Sequence, residues 1–225
     1  KVRILTDRPG GAVDELAALI NERDPGLICE KGDMEIEVSS RTLVLLVDVH
    51  RPQMVVEPSL LSRAGYIAVL DHHRRGDEFL ERCNLSYIMP GASSTSELGG
   101  ELVQYFPEDI SISPLAATAL LTGLIVDTKR FTFSTSARTF RIAAQLRDAG
   151  SLFDRQLFTD SLEVMLYRAR ILQNVELAFG RFAVAGYDVP MNGARVAASR
   201  AADTLLEIAG VADSFAFYPF ADGTG

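Results

Sequence analysis

The most informative segment for the fold is residues 66–73, Tyr66-Ile-Ala-Val-Leu-Asp-His-His73. In it a short apolar run ends in three polar residues. A second run of the same kind, Leu43-Val-Leu-Leu-Val47, ends in Asp48. Apolar runs that do not alternate with polar residues are typical of parallel strands covered on both faces by helices. We therefore predict two parallel strands, and we expect the strand that precedes Asp48 to be central in its sheet.

Helical patterns separate these strands from their neighbours along the chain. Strands are predicted over 3–5, 42–48, 66–70 and 85–89, and helices over 13–21, 58–63, 94–106, 113–125 and 136–150. Further on, the pattern predicts a helix over 160–175, a strand over 179–187, a helix over 197–208 and a strand over 214–218. Strands that alternate with helices indicate an α/β fold with a parallel sheet.

Three regions follow from these elements. Residues 1–159 are expected to form a parallel-sheet domain with helices on both faces, and residues 160–175 a helical connector. Residues 176–225 then begin a smaller α/β domain in the order strand, helix, strand.

The composition excludes several classes of protein. A net charge of -8 argues against sequence-independent binding of duplex nucleic acid, which needs a basic face. The sequence contains no apolar run near the roughly 20 residues that a membrane-spanning helix needs, so we expect no membrane contact from this stretch. Cys29 and Cys83 show neither metal-type spacing nor a disulfide framework. That usage is typical of a reducing compartment and predicts a cytoplasmic location.

Candidate ligands follow three apolar segments. Asp48 ends the first, Asp71, His72 and His73 end the second, and Asp127 ends the segment that runs from residue 120 to 126. In an open parallel sheet, ligands bind beyond the carboxyl ends of the strands, so side chains placed there converge. A single aspartate in this position is usually a helix cap or a turn residue. Two adjacent histidines, in a chain that has three, favour a binding site over that simpler interpretation.

The neighbouring residue types indicate which ligands such a site would take. Carboxylates with a neutral imidazole suit an ion such as Mn²⁺ better than Ca²⁺, which prefers oxygen ligands. Arg74 offers a forked donor to phosphate oxygens, whereas the adjacent Arg75 is equally compatible with a solvated loop. Ser93, Ser94 and Thr95 stand where a helix begins, so they are candidates both for binding phosphate and for simple capping. Both alternatives stay open.

Four segments together resemble the DHH phosphoesterase superfamily, which is named after the Asp-His-His triplet. They are Val47-Asp-Val-His-Arg-Pro52, Leu70-Asp-His-His-Arg-Arg75, Ala92-Ser-Ser-Thr-Ser-Glu97 and Gly123-Leu-Ile-Val-Asp-Thr-Lys-Arg-Phe131. The similarity is to the cyclic di-AMP phosphodiesterase branch of the GdpP type. Residues 201–206 resemble the start of the DHH-associated second domain, so the resemblance covers nearly the whole chain.

The resemblance implies a bacterial enzyme that hydrolyses cyclic di-AMP to linear pApA, with a water activated by two Mn²⁺ ions. By position in the motifs, Asp48 resembles the carboxylate that bridges the two metals. His72 and Asp127 resemble ligands of one of these metals. Asp71 resembles a residue that supports the ligands, and His73 a group that faces the scissile phosphate.

The sequence also departs from the family pattern. The family places a His-x-x-x-Asp-x-Asp motif after its first strand and a Gly-Gly-Gly-His segment in its second domain, and this sequence contains neither. The early acids Asp7 and Asp14 have no histidine at the required spacing upstream. We therefore expect a piece of a longer protein that is nearly inactive alone. The resemblance implies that the intact protein is anchored to a membrane by its upstream region.

Other functions remain compatible with the sequence. Related proteins hydrolyse very short RNA or pyrophosphate, and a protein without the first motif is also compatible with a nucleotide sensor that does not cut. The arginines at 74–75 and the Lys-Arg-Phe that follows Asp127 favour the cyclic dinucleotide. The sequence leaves open the preference for cyclic di-AMP over cyclic di-GMP, the formation of a homodimer, and whether His50 lines the cleft or packs.

Overall fold

The computed structural model describes residues 2–6, 12–30, 38–76, 78, 80, 82–107, 110–151 and 159–219. It divides into two compact units, Lys1–Leu157 and Phe158–Gly225. Asp7 lies outside the described residues, and so does the side chain of Asp14. Within the described ranges, no helix is both long enough and apolar enough to cross a membrane.

The first unit alternates strands and helices. Its elements are β1 (Ile4–Thr6), α1 (Ala12–Arg23), β2 (Ile28–Glu30), β3 (Leu43–Val47), α2 (Ser59–Arg63), β4 (Tyr66–Asp71), β5 (Leu85–Ile88), α3 (Thr95–Leu102), α4 (Pro114–Asp127) and α5 (Ala137–Asp148). β1 pairs with β2, and β3, β4 and β5 form a second sheet in that order. Both sheets are parallel, so the predicted α/β fold is confirmed.

The centre of the larger sheet is β4, not β3. Residues 67–70 of β4 are all buried, which shows that both of its faces are covered. In β3, by contrast, Leu43, Leu45 and Val47 on one face are each more than half exposed. The prediction that the strand before Asp48 is central and covered was therefore wrong. An apolar run indicates that a strand can be buried. Which strand lies between two others depends on the strand pairing of the sheet.

Helix α3 lies against the sheet near the end of β4, where Leu98 packs with Leu70 and Ala92. The helix begins at the cap Ser94, as the sequence predicts, but it ends at Leu102 rather than near residue 106. A tighter helical turn follows over 103–105, and the chain then becomes extended at Phe106. Pro107 explains this early end, because the residue before a proline is disfavoured in helical conformation.

The second unit is a small α/β fold around its own core. Its elements are α6 (Leu162–Gln173), β6 (Glu176–Ala178), β7 (Phe182–Gly186), α7 (Ala194–Leu205) and β8 (Asp213–Phe217). β7 and β8 are parallel and α7 connects them, as predicted. Residues of α6, the helix expected as a connector, join α7 and β7 in one buried cluster.

One predicted strand of this unit is the second strand of a hairpin. The strand expected over 179–187 begins only at Phe182, as β7, and pairs antiparallel with β6, which the sequence did not predict. Phe179 and Gly180 form its turn with positive φ angles of 51° and 69°. In the sequence, the apolar Phe179 extends the strand pattern toward the N-terminus. In the structure its left-handed backbone conformation is incompatible with a strand.

Candidate metal centre

The carboxyl ends of β3 and β4 lie side by side. Val47 pairs with Leu70 in the sheet, and the Asp48 N–H donates to the Leu70 carbonyl at 2.9 Å. Asp48 follows β3 directly, and the histidines at 72 and 73 follow β4. Parallel pairing therefore places the carboxylate and both imidazoles at one edge of the sheet.

The side chains of Asp48, His72 and Asp127 meet at this edge. His72 Nε2 lies 3.5 Å from Asp48 Oδ1 and 3.9 Å from Asp127 Oδ2. Candidate ligand atoms of Asp48, His72 and His73 all lie within 4.8 Å of one another. Asp127, however, is the last residue of α4 and does not follow a strand. The apolar segment before it is helical, so the picture of three strand ends was wrong for this residue.

The ring of His72 is oriented for ligation through Nε2. Its Nδ1 lies 3.4 Å from the carbonyl oxygen of Ala92, which places the proton of a neutral ring on Nδ1. The lone pair of Nε2 is then directed at the two carboxylates. Backbone carbonyls commonly orient metal-binding histidines in this way.

The electrostatics of Asp127 fit a cation. Burial raises the pKa of its carboxyl group, the negative charge of Asp48 raises it further, and the two histidines oppose this. Two carboxylates held close together and half shielded from water repel each other, and a divalent ion between them removes that repulsion. The donor set of two carboxylates and one imidazole therefore fits a divalent metal ion.

Asp71 lies behind the cluster and is completely buried. Its Oδ1 accepts hydrogen bonds from the His73 backbone N–H at 3.0 Å and from His73 Nδ1 at 2.8 Å. Its Oδ2 lies 2.5 Å from His50 Nδ1. Burial by itself raises the pKa of Asp71, but the hydrogen bonds from His73 and His50 outweigh it and the pKa is lowered. Asp71 is thus an ionised carboxylate held between two imidazoles.

His50 is the site residue that sequence reasoning left unassigned. It is buried, with 4% of its surface exposed, and its contact with Asp71 spans 21 positions of the chain. The local sequence around residue 50 does not indicate that Asp71 is its partner. The one available signal is the separation of two residues from Asp48, which places both in the segment after β3.

The three hydroxyls at the start of α3 have internal partners. Ser93 Oγ donates to Glu97 Oε2 at 2.6 Å, and Ser94 Oγ accepts from the Glu97 N–H at 3.0 Å. Thr95 Oγ1 donates to Asp48 Oδ1 at 2.7 Å. Capping, one of the two alternatives that the sequence left open, therefore describes Ser94, and Thr95 contacts a candidate metal ligand.

The two arginines after the triplet differ in their surroundings. Both are exposed, and Arg75 Nη2 donates to Ser86 Oγ at 3.0 Å. Arg75 and His50 also line one cavity of about 270 Å³. Within the part of the chain that the structure describes, Arg74 has no hydrogen-bond or ion-pair partner.

The chain is similar to known proteins in sequence and in fold. Residues 4–124 match the family model "DHH family, N-terminal domain". The chain is 40% identical over 217 residues to the cyclic-di-AMP phosphodiesterase GdpP of Geobacillus thermodenitrificans, covering 95% of this chain and 33% of that protein. It is 36% identical to the cyclic-di-AMP phosphodiesterase PdeA of Listeria monocytogenes, covering 92% of this chain and 33% of that protein. The chain thus spans about a third of the length of these curated relatives.

Solved structures share the fold at lower identity. An exopolyphosphatase-related protein from Bacteroides fragilis aligns with a TM-score of 0.65 and 21% identity, over 75% of this chain and 52% of that chain. A putative family II inorganic pyrophosphatase from Methanococcus jannaschii aligns with a TM-score of 0.51 and 17% identity, over 93% of this chain and 72% of that chain.

Proposed function

The chain belongs to the DHH family, and from this premise we propose that its function is the metal-dependent hydrolysis of cyclic di-AMP to linear pApA. The observation that carries the proposal is the meeting of Asp48, His72 and Asp127 at the edge of the parallel sheet. The relatives named as cyclic-di-AMP phosphodiesterases supply the substrate.

Asp48, His72 and Asp127 are the residues that we propose to hold the metal, with Mn²⁺ as the preferred ion. A divalent ion held by these residues would activate a water molecule and share the negative charge that builds on the phosphate oxygens. Asp48 and Asp127 supply the negative charge that attracts the cation. The Ala92 carbonyl favours the His72 tautomer with the proton on Nδ1, in which Nε2 carries the lone pair that would coordinate the cation.

The reaction opens one of the two phosphodiester bonds of the ring. The water oxygen forms a bond to phosphorus, the bond from phosphorus to the ribose 3′ oxygen breaks, and that oxygen leaves with a proton. We place His73 beside the scissile phosphate, because more than half of its side chain is exposed and its candidate ligand atom lies within 4.8 Å of those of Asp48 and His72. Arg74 is a candidate donor to the second phosphate, which keeps the dinucleotide in register.

The thiols of Cys29 and Cys83 are both free. Unpaired cysteines are typical of a reducing compartment, which supports our proposal that the reaction takes place in the cytoplasm.

The test is a substrate panel with the full-length natural protein and Mn²⁺. Cyclic di-AMP, cyclic di-GMP, a dinucleotide RNA and pyrophosphate are incubated in parallel, and the products are separated by chromatography. We expect cyclic di-AMP to yield pApA, and Asp48→Asn to abolish this product. Cleavage of pyrophosphate or RNA with cyclic di-AMP intact would assign a different hydrolase. Tight binding of cyclic di-AMP without any product would identify a sensor.

A further inference from the structure

Two of the three histidines of the chain, His50 and His73, belong to one hydrogen-bonded assembly around Asp71. The Asp71 carboxylate lies between His50 and His73, and each imidazole uses a different carboxylate oxygen. His50 Nδ1 is 2.5 Å from Oδ2, and His73 Nδ1 is 2.8 Å from Oδ1. His50 and His73 therefore contact the same group from opposite sides, one buried and one at the surface.

The ring of His73 depends on this carboxylate for its orientation. Its side chain is 56% exposed, so packing restrains it weakly. The ring of His72 lies at a tilt, with 4.5 Å between the ring centroids. Asp71 Oδ1 holds both the backbone N–H and Nδ1 of His73, which directs Nε2 away from Asp71. The proton of a neutral His73 then resides on Nδ1, because an ionised carboxylate accepts.

His50 restrains the other end of the same carboxylate. A carboxylate bonded through one oxygen alone can turn about its Cβ–Cγ bond, and a second donor at Oδ2 stops that rotation. His50 Nε2 is buried and has no hydrogen-bond partner among the described residues. Leaving such an atom unpaired costs about 1–3 kcal/mol, so an apolar residue would be more favourable if packing were the only role. The presence of histidine despite this cost indicates that position 50 requires the Nδ1 donor to Asp71.

We propose that His50 is a positioning residue, which through Asp71 holds His73 in the Nδ1–H tautomer with Nε2 directed away from Asp71. The use of that orientation in catalysis rests on the proposed function. The orientation itself does not, because it exists in the metal-free chain. His50 acts at a distance and touches neither metal nor substrate.

The experiment reads the tautomer directly. Histidine is labelled with ¹⁵N in the metal-free chain, and two-bond correlations from ring protons to ring nitrogens report which nitrogen carries the proton. With three histidines in the chain, single substitutions assign every signal. We expect His73 of the wild type to show the Nδ1–H pattern, and His50→Ala to shift it toward the Nε2–H form that imidazole prefers in water.

Two amide substitutions supply the matched pair. The side-chain nitrogen of His50→Asn superposes on Nδ1 and keeps the donor to Asp71, whereas that of His50→Gln superposes on Nε2 and does not. We expect the Asn variant to retain the wild-type His73 pattern and the Gln variant to lose it. A wild-type pattern in both the Ala and Gln variants, with a native backbone amide spectrum, overturns the proposal. Loss of the native amide spectrum in both also overturns it, since His50 is then a structural residue.

Hydrolysis of cyclic di-AMP by the full-length protein separates this inference from the proposed function. If both hold, His50→Gln lowers kcat while His50→Asn restores it. If the wild type hydrolyses none of the cyclic dinucleotide but the tautomer follows the Asn and Gln pair, the proposed function fails and the positioning role stands. If cyclic di-AMP is hydrolysed but the His73 tautomer is the same in all variants of His50, the proposed function stands and the positioning role fails.

Discussion

The hydroxyl of Thr95 donates a hydrogen bond of 2.7 Å to Oδ1 of Asp48, which ties the first turn of α3 to the end of β3. Asp48 needs such a restraint, because its φ of 65° is left-handed. That conformation costs a residue with a Cβ roughly 1–2 kcal/mol. The backbone bond to Leu70 and the side-chain bond to Thr95 together hold the carboxylate in place.

Thr95→Val tests this contact, since valine keeps the shape of threonine and removes the donor. We expect Mn²⁺ to bind the variant about 10-fold more weakly, the equivalent of one hydrogen bond of roughly 1.4 kcal/mol. Isothermal titration calorimetry on the chain gives the affinity. Thr95→Ser keeps the hydroxyl and should bind like the wild type. Equal affinities for the Val and Ser variants would show that the contact has no part in metal binding.

His72→Ala should abolish Mn²⁺ binding by the chain, because it removes the imidazole that faces both Asp48 and Asp127. The same calorimetry measures this loss, and thermal unfolding confirms that the variant is folded. Arg75→Ala is the matched control, since its guanidinium bonds to Ser86 outside the cluster, and its affinity should stay within about twofold. An unchanged affinity in His72→Ala would exclude His72 from the centre.

Asp127→Asn should stabilise the metal-free chain while it weakens metal binding. Burial and the charge of Asp48 raise the pKa of Asp127, so the folded state disfavours its ionised form. The resulting loss of stability is present above the raised pKa and disappears as the pH falls toward the ordinary value of 3.8. We therefore expect the variant to have the higher Tm at pH 7, and the difference to vanish in acid.

Differential scanning calorimetry across this pH range measures both effects. Asp213→Asn, at an exposed aspartate, should leave the Tm unchanged throughout. A lower Tm for Asp127→Asn at pH 7 would contradict the repulsion between the two carboxylates.

Tyr167→Phe should lower the stability of the second unit by about 1 kcal/mol. The Tyr167 hydroxyl lies 3.1 Å from the Tyr187 carbonyl and 2.7 Å from the Val189 carbonyl, and the variant loses these contacts. Burial, together with Tyr187 and Asp188, raises the pKa of Tyr167. As the pH rises, Tyr167 therefore ionises in the unfolded chain before it ionises in the folded one. The free energy of unfolding of the wild type should fall above about pH 10, and that of the Phe variant should fall less.

Urea unfolding at neutral and alkaline pH gives the free energies for this comparison. Tyr105→Phe changes a tyrosine that is 78% exposed and should match the wild type at both pH values. If Tyr167→Phe is as stable as the Tyr105→Phe control at pH 7, the two carbonyl contacts contribute nothing measurable.

Local patterns in the sequence were sufficient for the elements and the fold class. The apolar run before Asp71 predicted a short strand, and Ser113 followed by Pro114 is a helix start whose chemistry acts within four residues. The placement of the histidines beyond a strand end also follows from the sequence, because it needs only the position at which that strand stops. Such features depend on neighbours along the chain.

The tertiary structure decided everything that depends on partners distant in sequence. It made β4 the central strand, brought Asp127 to the site from the end of a helix, and joined His50 to Asp71. A side chain shows in the sequence what it can donate or accept, but not which group it will meet. That choice depends on strand register and helix packing, which bring together residues 21 to 55 positions apart.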